Sequence, residues 1–489
     1  MVGEVSEAKG GTPSTKCPQH PATVLPPTPP RRAEPPRHHA SGPRMLSVID
    51  LHAAGEQARG QRVCSDAPLR KPIPGSCYQY RDETKSPQPG FPDPDPDANP
   101  DSDPYPGEPA RVVVGGVPHV PGNNGMEKRA YFMENLDGLR KALLLEPRGY
   151  PCQNANVLVP PSPSCPEALY GYIILEQNKI YPAMSGHNTI CVATALLETG
   201  MVPMREPTTT FTLEPPGGPI QITATCKGGK VRGCPAVGWP WGRRRAATPM
   251  SKMTSHFRLE SNSISSSIPT FPQVLDVEFV NHPAFVHALD VKVDVPSLGE
   301  VTVDIAYGGM WYAVVDASSV GLELVPERGA DICRLGEMIK TATREQHPVN
   351  HPILEYPGCD ILVFRAPATP GSRADSRNAV VMSNGNLDWD NEATWTGMID
   401  RSPCGTGTCA VMATLHARGQ LAIGKTFVHE GILGTTFTGM LIEETTVGDY
   451  AAVVPTVAGR AWITQHSQVV CDPTDPFKEG YTVGDIWAS

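Results

Sequence analysis

Two short stretches of this 489-residue chain carry side chains that could move a proton. One is Met184-Ser185-Gly186-His187-Asn188-Thr189. The other is Asp400-Arg401-Ser402-Pro403-Cys404-Gly405-Thr406-Gly407-Thr408. They are copies of one pattern. Residues 185–200 and 404–419 align without a gap and share Gly186/Gly405, Thr189/Thr408, Val192/Val411, Leu196/Leu415 and Gly200/Gly419. Each copy opens with a small protic side chain and a glycine, and each ends in a glycine suited to a helix C-cap. Between these points each is apolar almost all round, and a helix without a polar face belongs inside a core. The start of such a helix offers free N–H groups and a partial positive charge. Two starts that converge make a carboxylate site. A thiol placed there is expected to have a lowered pKa and to be populated as thiolate near neutral pH, which makes Cys404 the candidate base. Ser185 holds the matching position on the opposite face. His187 could give or take protons beside it, and Asp400, four residues before Cys404, could hold a cationic amine. Serine is also a favoured helix cap, a role without chemistry.

The elements around these stretches repeat as well. Amphipathic segments at Met126–Leu145 and Asp331–Gln346 predict a helix upstream of each copy, and short alternating segments predict strands between them. The expected architecture is α+β: two pseudo-symmetric halves, each a curved, barrel-like sheet around one buried apolar helix, with the helix starts facing each other at the seam. The expected domains are 45–315 and 316–489, with the last strands returning to the first. Three segments fall outside this scheme. Twenty-two of the 53 prolines lie in residues 1–109, a density that cannot bury enough apolar surface to order the chain. Residues 1–44 read as a disordered tail. Residues 57–108, with an Asp-Pro alternation from Pro92 to Pro104, and the Ser-, Arg- and Trp-rich residues 232–273 read as disordered insertions, intervening sequence kept in the gene product. Without the second insertion, Ile220–Lys227 and Val274–Phe279 would form a hairpin.

Composition excludes several functions. A formal charge of −10 argues against a nucleic-acid binder, and the basic clusters Arg31-Arg32 and Arg243-Arg244-Arg245 sit in segments expected to be unstructured. No run of about 18 apolar residues predicts a membrane span, and prolines stand where a secretory signal would carry its apolar core. The 13 cysteines are odd in number, with no CxxC pair; this argues against a zinc ribbon or a disulfide framework and for a cytoplasmic setting. Cys191 and Cys409 lie inside the apolar runs and read as core. Gly419-Gln420-Leu421-Ala422-Ile423-Gly424-Lys425-Thr426 matches a phosphate-loop pattern. Here, however, a helix precedes and a strand follows, the reverse of what phosphate binding needs. His347 and His351 have the spacing of a zinc helix, but Pro348 and Pro352 prevent that helix. No metal is expected.

On the two motifs the chain resembles the proline racemase superfamily, which includes hydroxyproline epimerases and trans-3-hydroxy-L-proline dehydratases. Val113-Val114-Gly115-Gly116, Tyr307-Gly308-Gly309-Met310-Trp311-Tyr312-Ala313, His429-Glu430-Gly431-Ile432-Leu433-Gly434 and Asp475-Pro476-Phe477 support the likeness. It implies a diaminopimelate-epimerase-like fold and no cofactor. It also implies a small imino acid, hydroxyproline or proline, as substrate, and a homodimer is expected. In the epimerases of this kind cysteines open both motifs; here the first is Ser185, which resembles the dehydratases more closely. The implied reaction is therefore dehydration of trans-3-hydroxy-L-proline to a cyclic imine acid, with a 4-hydroxyproline 2-epimerase or proline racemase as the alternative and a catalytically inactive relative as a third reading. Cys404 would remove the Cα proton. The substrate carboxylate would sit on N–H groups near Gly186, His187, Asn188, Gly405 and Thr406, and Asp400 and His187 would hold the ring nitrogen. Asp360 is a looser candidate for a substrate contact.

Overall fold

The computed structural model describes residues 44–54, 107–227, 273–354, 356–383 and 385–487. The expected tail 1–44 and the segments 57–108 and 232–273 lie outside the described residues, apart from Arg44, Gly107, Glu108 and Gln273.

The first half runs β1 (Arg44–Ala54), β2 (Glu108–Gly115), α1 (Gly125–Asn135), α2 (Asp137–Leu144), β3 (Asn154–Val159), β4 (Tyr170–Leu175), α3 (Gly186–Glu198), β5 (Thr208–Glu214), β6 (Ile220–Lys227) and β7 (Gln273–Val280). A connecting strand, β8 (Ala284–Val295), leads into the second half. That half runs β9 (Gly299–Tyr307), β10 (Trp311–Asp316), α4 (Gly329–Gln346), β11 (Ile361–Ala366), β12 (Ser376–Ser383), β13 (Gly397–Ile399), α5 (Gly405–Ala417), β14 (Thr426–Glu430), β15 (Thr436–Val447) and β16 (Tyr450–Cys471).

The pairing repeats step for step. From β1 to β7 neighbours pair antiparallel, parallel, antiparallel, parallel, antiparallel, antiparallel. The series β9, β10, β11, β12, β14, β15, β16 shows the same order. The long β16 closes both rings. It pairs with β1 and β7 to complete one ring of eight strands, and with β15 and β8 to complete another. The last strand thus returns to the first half, and closure removes the free sheet edges that would invite further pairing.

Helix α3 packs against β1, β2, β3, β7 and β16, inside the first ring. Helix α5 packs against β8, β9, β10, β15 and β16, inside the second. Their sequences leave no alternative position: Ile190, Val192 and Leu196 on α3, and Val411 and Met412 on α5, are fully buried, and each such large apolar side chain contributes roughly 1.5–3 kcal/mol when removed from water. Cys191 and Cys409 are core residues of these helices.

Two expectations need correction. The rings divide between Val280 and Ala284, so the last part of the expected domain 45–315, which holds β8 and β9, belongs to the second ring. Ring membership depends on non-local pairing, which alternation along the chain does not encode. The helix expected over Met126–Leu145 is two helices, broken at Leu136, whose φ of −129° and ψ of 12° are not helical. There the Asp137 carboxylate takes hydrogen bonds from Arg140 and from the Tyr181 hydroxyl, fixing a new helix start.

Candidate active site

The two apolar helices meet at their starts. A Cβ added to Gly186 would lie 2.5 Å from the Gly405 Cα, and one added to Gly405 would lie 2.6 Å from the Gly186 Cα. Only glycine permits this approach, which explains the residue that follows the protic side chain in both copies. Ser185 and Cys404 are the N-cap residues of α3 and α5, so the fold brings the two motifs to one seam.

Cys404 sits at φ +59°, a conformation uncommon outside glycine. Its Sγ accepts the Gly407 N–H at 3.4 Å. The Tyr312 hydroxyl lies 3.3 Å from the sulfur and 2.6 Å from the Thr406 hydroxyl. The expected lowering of the thiol pKa is reversed: burial and the charge of Asp400 push the Cys404 thiol well up, and the contacts from Tyr312, Gly407 and Thr406 only oppose that. The helix-start argument is local, whereas the loss of water comes from both rings closing over the sulfur. Asp400 is itself buried and turns one oxygen to the Ser402 N–H at 2.7 Å. Among the described residues no Lys, Arg or His forms an ion pair with it. The seam therefore holds an uncompensated negative charge beside the thiol.

The Ser185 side is built differently. Its side chain makes no cap hydrogen bond to the helix, so it does not act as an ordinary serine N-cap, and the first N–H groups of α3 keep no side-chain acceptor from it. Its Oγ instead accepts from Asn188 Nδ2 at 2.9 Å and lies 3.4 Å from His187 Nδ1. Burial lowers the His187 pKa, against a smaller upward pull from Asp400, so the ring is neutral.

Several polar residues of the seam were not anticipated. Asn154 and Asn156, two apart on β3, point the same way. Asn154 Nδ2 reaches His187 Nε2 at 3.2 Å, and Asn156 Nδ2 donates to Asn188 Oδ1 at 2.6 Å. Glu108, expected inside the segment 57–108, opens β2 and is fully buried. One of its oxygens accepts Asn154 Nδ2 at 3.0 Å, the other the Arg401 N–H at 2.7 Å. Burial and Asp400 push its carboxyl well above the usual range. Glu176, just past β4, is buried and pushed up to about 8 by burial, Asp400 and Asp360. Tyr312 lay in a block quoted for the resemblance; its aromatic position within an otherwise apolar strand was the available signal. Asp360 stands apart from the two motifs' hydrogen bonds, 3.7 Å from Arg344. Farther off, the segment 419–426 runs from the end of α5 straight into β14, without a strand–loop–helix turn. His347 approaches the Lys292 carbonyl, whereas His351 accepts the N–H groups of Ile353 and Leu354.

The fold is a duplicated barrel that presents a thiol and a hydroxyl at paired helix starts. Comparison with known proteins identifies its family. The proline racemase family model matches residues 105–236 and 269–482. The chain is 36% identical over 377 residues to a proline racemase of Clostridioides difficile, covering 77% of this chain and 95% of that protein. It is 38% identical over 376 residues to a 4-hydroxyproline 2-epimerase of Streptosporangium roseum, with the same coverage. A crystal structure of a hydroxyproline epimerase from Agrobacterium vitis, with bound trans-4-hydroxy-L-proline, superposes with a TM-score of 0.65 at 29% identity, covering 91% of this chain and 98% of that one. The chain belongs to the proline racemase family. No helix among the described residues is long and apolar enough to cross a membrane.

Proposed function

We propose that this enzyme inverts the Cα configuration of a proline-type imino acid, with 4-hydroxyproline as the first substrate to test. The observation that carries the reading is the meeting of the helix starts at Gly186 and Gly405, with Ser185 immediately before one and Cys404 immediately before the other. The names of the relatives favour inversion over the dehydration that Ser185 suggests.

In this reading the substrate carboxylate lies on the free N–H groups of both helix starts. Its ring ammonium goes to Asp400. Burial holds the Cys404 thiol up most and the Asp400 charge adds to it; the ammonium offsets that charge and joins the Tyr312 and Gly407 contacts in favouring thiolate against the burial. The sulfur takes the Cα proton; the electron pair of that bond moves onto the carboxylate, where the N–H groups stabilise it most. Ser185 returns a proton to the opposite face. The substrate leaves inverted, and the thiol and the serine oxygen exchange protons before the next turnover. Positioned acid–base groups of this kind contribute roughly 10²–10⁴-fold.

Dehydration remains as a second reading because Ser185 stands where a second thiol would make the site symmetric. There the Cα proton goes to Cys404 and the C3 hydroxyl leaves as water with a proton from Ser185 or His187; the enamine then becomes a cyclic imine. Purified protein in deuterium oxide, given 4-hydroxyproline, proline and trans-3-hydroxy-L-proline separately, distinguishes the readings. Deuterium at Cα with inversion supports the proposal. Imine from the 3-hydroxy acid alone moves the assignment to dehydration, and no reaction with any of the three overturns both.

A further inference from the structure

The Ser185 hydroxyl has one proton, and where it points decides whether the group can deliver it. The hydrogen bonds around it fix that direction. Both Glu108 oxygens accept: one from the Arg401 N–H at 2.7 Å, a bond that favours the carboxylate against the burial and the Asp400 charge pushing its carboxyl up, and one from Asn154 Nδ2 at 3.0 Å. The Asn154 amide therefore turns its NH2 group to this corner. The same nitrogen lies 3.2 Å from His187 Nε2, which must then be an acceptor. A neutral imidazole with Nε2 as acceptor carries its proton on Nδ1. Nδ1 is the atom that faces Ser185 Oγ, at 3.4 Å. Oγ also accepts from Asn188 Nδ2 at 2.9 Å. With two donors on its lone pairs, the hydroxyl has neither neighbour left as an acceptor, and its own proton points away from both. Glu108, Asn154, His187, Asn188 and Ser185 are all buried, so water is not free to reverse the links between them.

We infer that Glu108 is a positioning residue that aims the Ser185 proton into the seam, working through Asn154 and His187. The Arg401 bond adds a second consequence. The same carboxyl that orients the Ser185 relay from the first half grips the backbone of the loop leading to Cys404 in the second, across 293 residues of sequence. One side chain thus registers both helix starts against each other. The inference rests on the proposed reading for its catalytic meaning, but the direction of the relay can be read without turnover.

Glu108→Gln is the test. The glutamine keeps one acceptor and gains a donor. With its oxygen on the Arg401 N–H, its NH2 faces Asn154, whose amide must flip. The flipped oxygen then meets His187 Nε2, which takes the proton; Nδ1 becomes an acceptor and draws the Ser185 proton back out of the seam. The expected signature is a change of the His187 tautomer from Nδ1–H to Nε2–H, read from the imidazole 15N shifts, with the circular dichroism unchanged. Cα exchange on the Ser185 face should fall about 100-fold, with KM changed far less than kcat. Asn154→Asp, which can only accept, should switch the tautomer in the same way, and the double variant should be no worse than the poorer single one. An unchanged Nδ1–H tautomer in Glu108→Gln overturns the inference, as does a purely additive double variant. Wild-type protein that shows the Nδ1–H tautomer, but no Cα exchange with any substrate, sinks the proposed function and leaves the relay standing.

Discussion

The starts of α3 and α5 are copies in sequence and in pairing topology, yet they hold their protic groups in opposite ways. Cys404 is strained at φ +59° and ties its sulfur to its own helix through the Gly407 N–H. Ser185 has ordinary extended backbone, φ −149°, and its side chain caps no backbone N–H of its helix. Its oxygen is held by side chains alone, Asn188 and His187. An anion on sulfur is thus stabilised by backbone dipoles that cannot rearrange. A proton on oxygen is steered by a side-chain relay that can. In the proposed reading, the divergence between the copies suits one face to take a proton and the other to give one.

The largest break in this comparison is Cys404→Ser. It makes the two copies alike in side chain, but a hydroxyl at the α5 start has no accessible anion. Cα exchange should fall by at least about 10³-fold, while thermal unfolding stays close to wild type because the substitution removes no buried volume of consequence. Exchange within tenfold of wild type would show that the sulfur is not the base. A smaller effect sharpens the contrast. Tyr312→Phe removes the hydroxyl 3.3 Å from the sulfur and leaves the Gly407 N–H in place. That hydroxyl favours the thiolate, so its loss pushes the thiol further up. The rise of kcat with pH should move about one unit toward alkaline pH, with about a tenfold loss at neutral pH that is recovered at higher pH. A uniform loss at every pH would assign Tyr312 to shape alone.

How far the sequence carried is visible at particular residues. The two buried helices were legible because their signal is local: an apolar run, a protic residue with glycine before it, a glycine after it. The meeting of Gly186 and Gly405 followed from the repeat. Glu108 was not legible. It adjoins a proline-rich stretch that draws it into the segment 57–108, and its importance arises from a contact with Arg401 in the other half. Ring membership of β8, β9 and β10 was hidden for the same reason, since only the return of β16 reveals which ring they close. The thiol pKa went astray because helix position is readable along the chain, whereas desolvation is a property of everything packed over it.

The two helix starts should also differ in their response to acid. The first turn of α5 is braced by His429, whose Nδ1 lies 2.9 Å from the Thr408 hydroxyl and 3.1 Å from Asn378 Nδ2. Burial, reinforced by the charge of Arg365, lowers the His429 pKa to about 3. The first turn of α3 contains His187, lowered by burial but pulled partly back by Asp400. Its other brace, the 2.7 Å contact of the Tyr172 and Thr189 hydroxyls, carries no group that protonates in acid. The sign follows from which state binds the proton. An unfolded histidine takes one below about pH 6.5, whereas folded His429 takes none until about pH 3. Stability from this group is therefore complete above about pH 6.5 and is lost as pH falls toward 3, at about 1.4 kcal/mol per unit. The loss from His187 follows the same sign, but there Asp400 opposes the burial and helps the folded ring accept its proton. Hydrogen exchange measured between pH 6.5 and 4 should show 405–417 losing protection faster than 186–198, and His429→Asn should narrow the gap. Equal loss at both helix starts, or faster loss at α3, would remove the asymmetry from stability and leave it to chemistry alone.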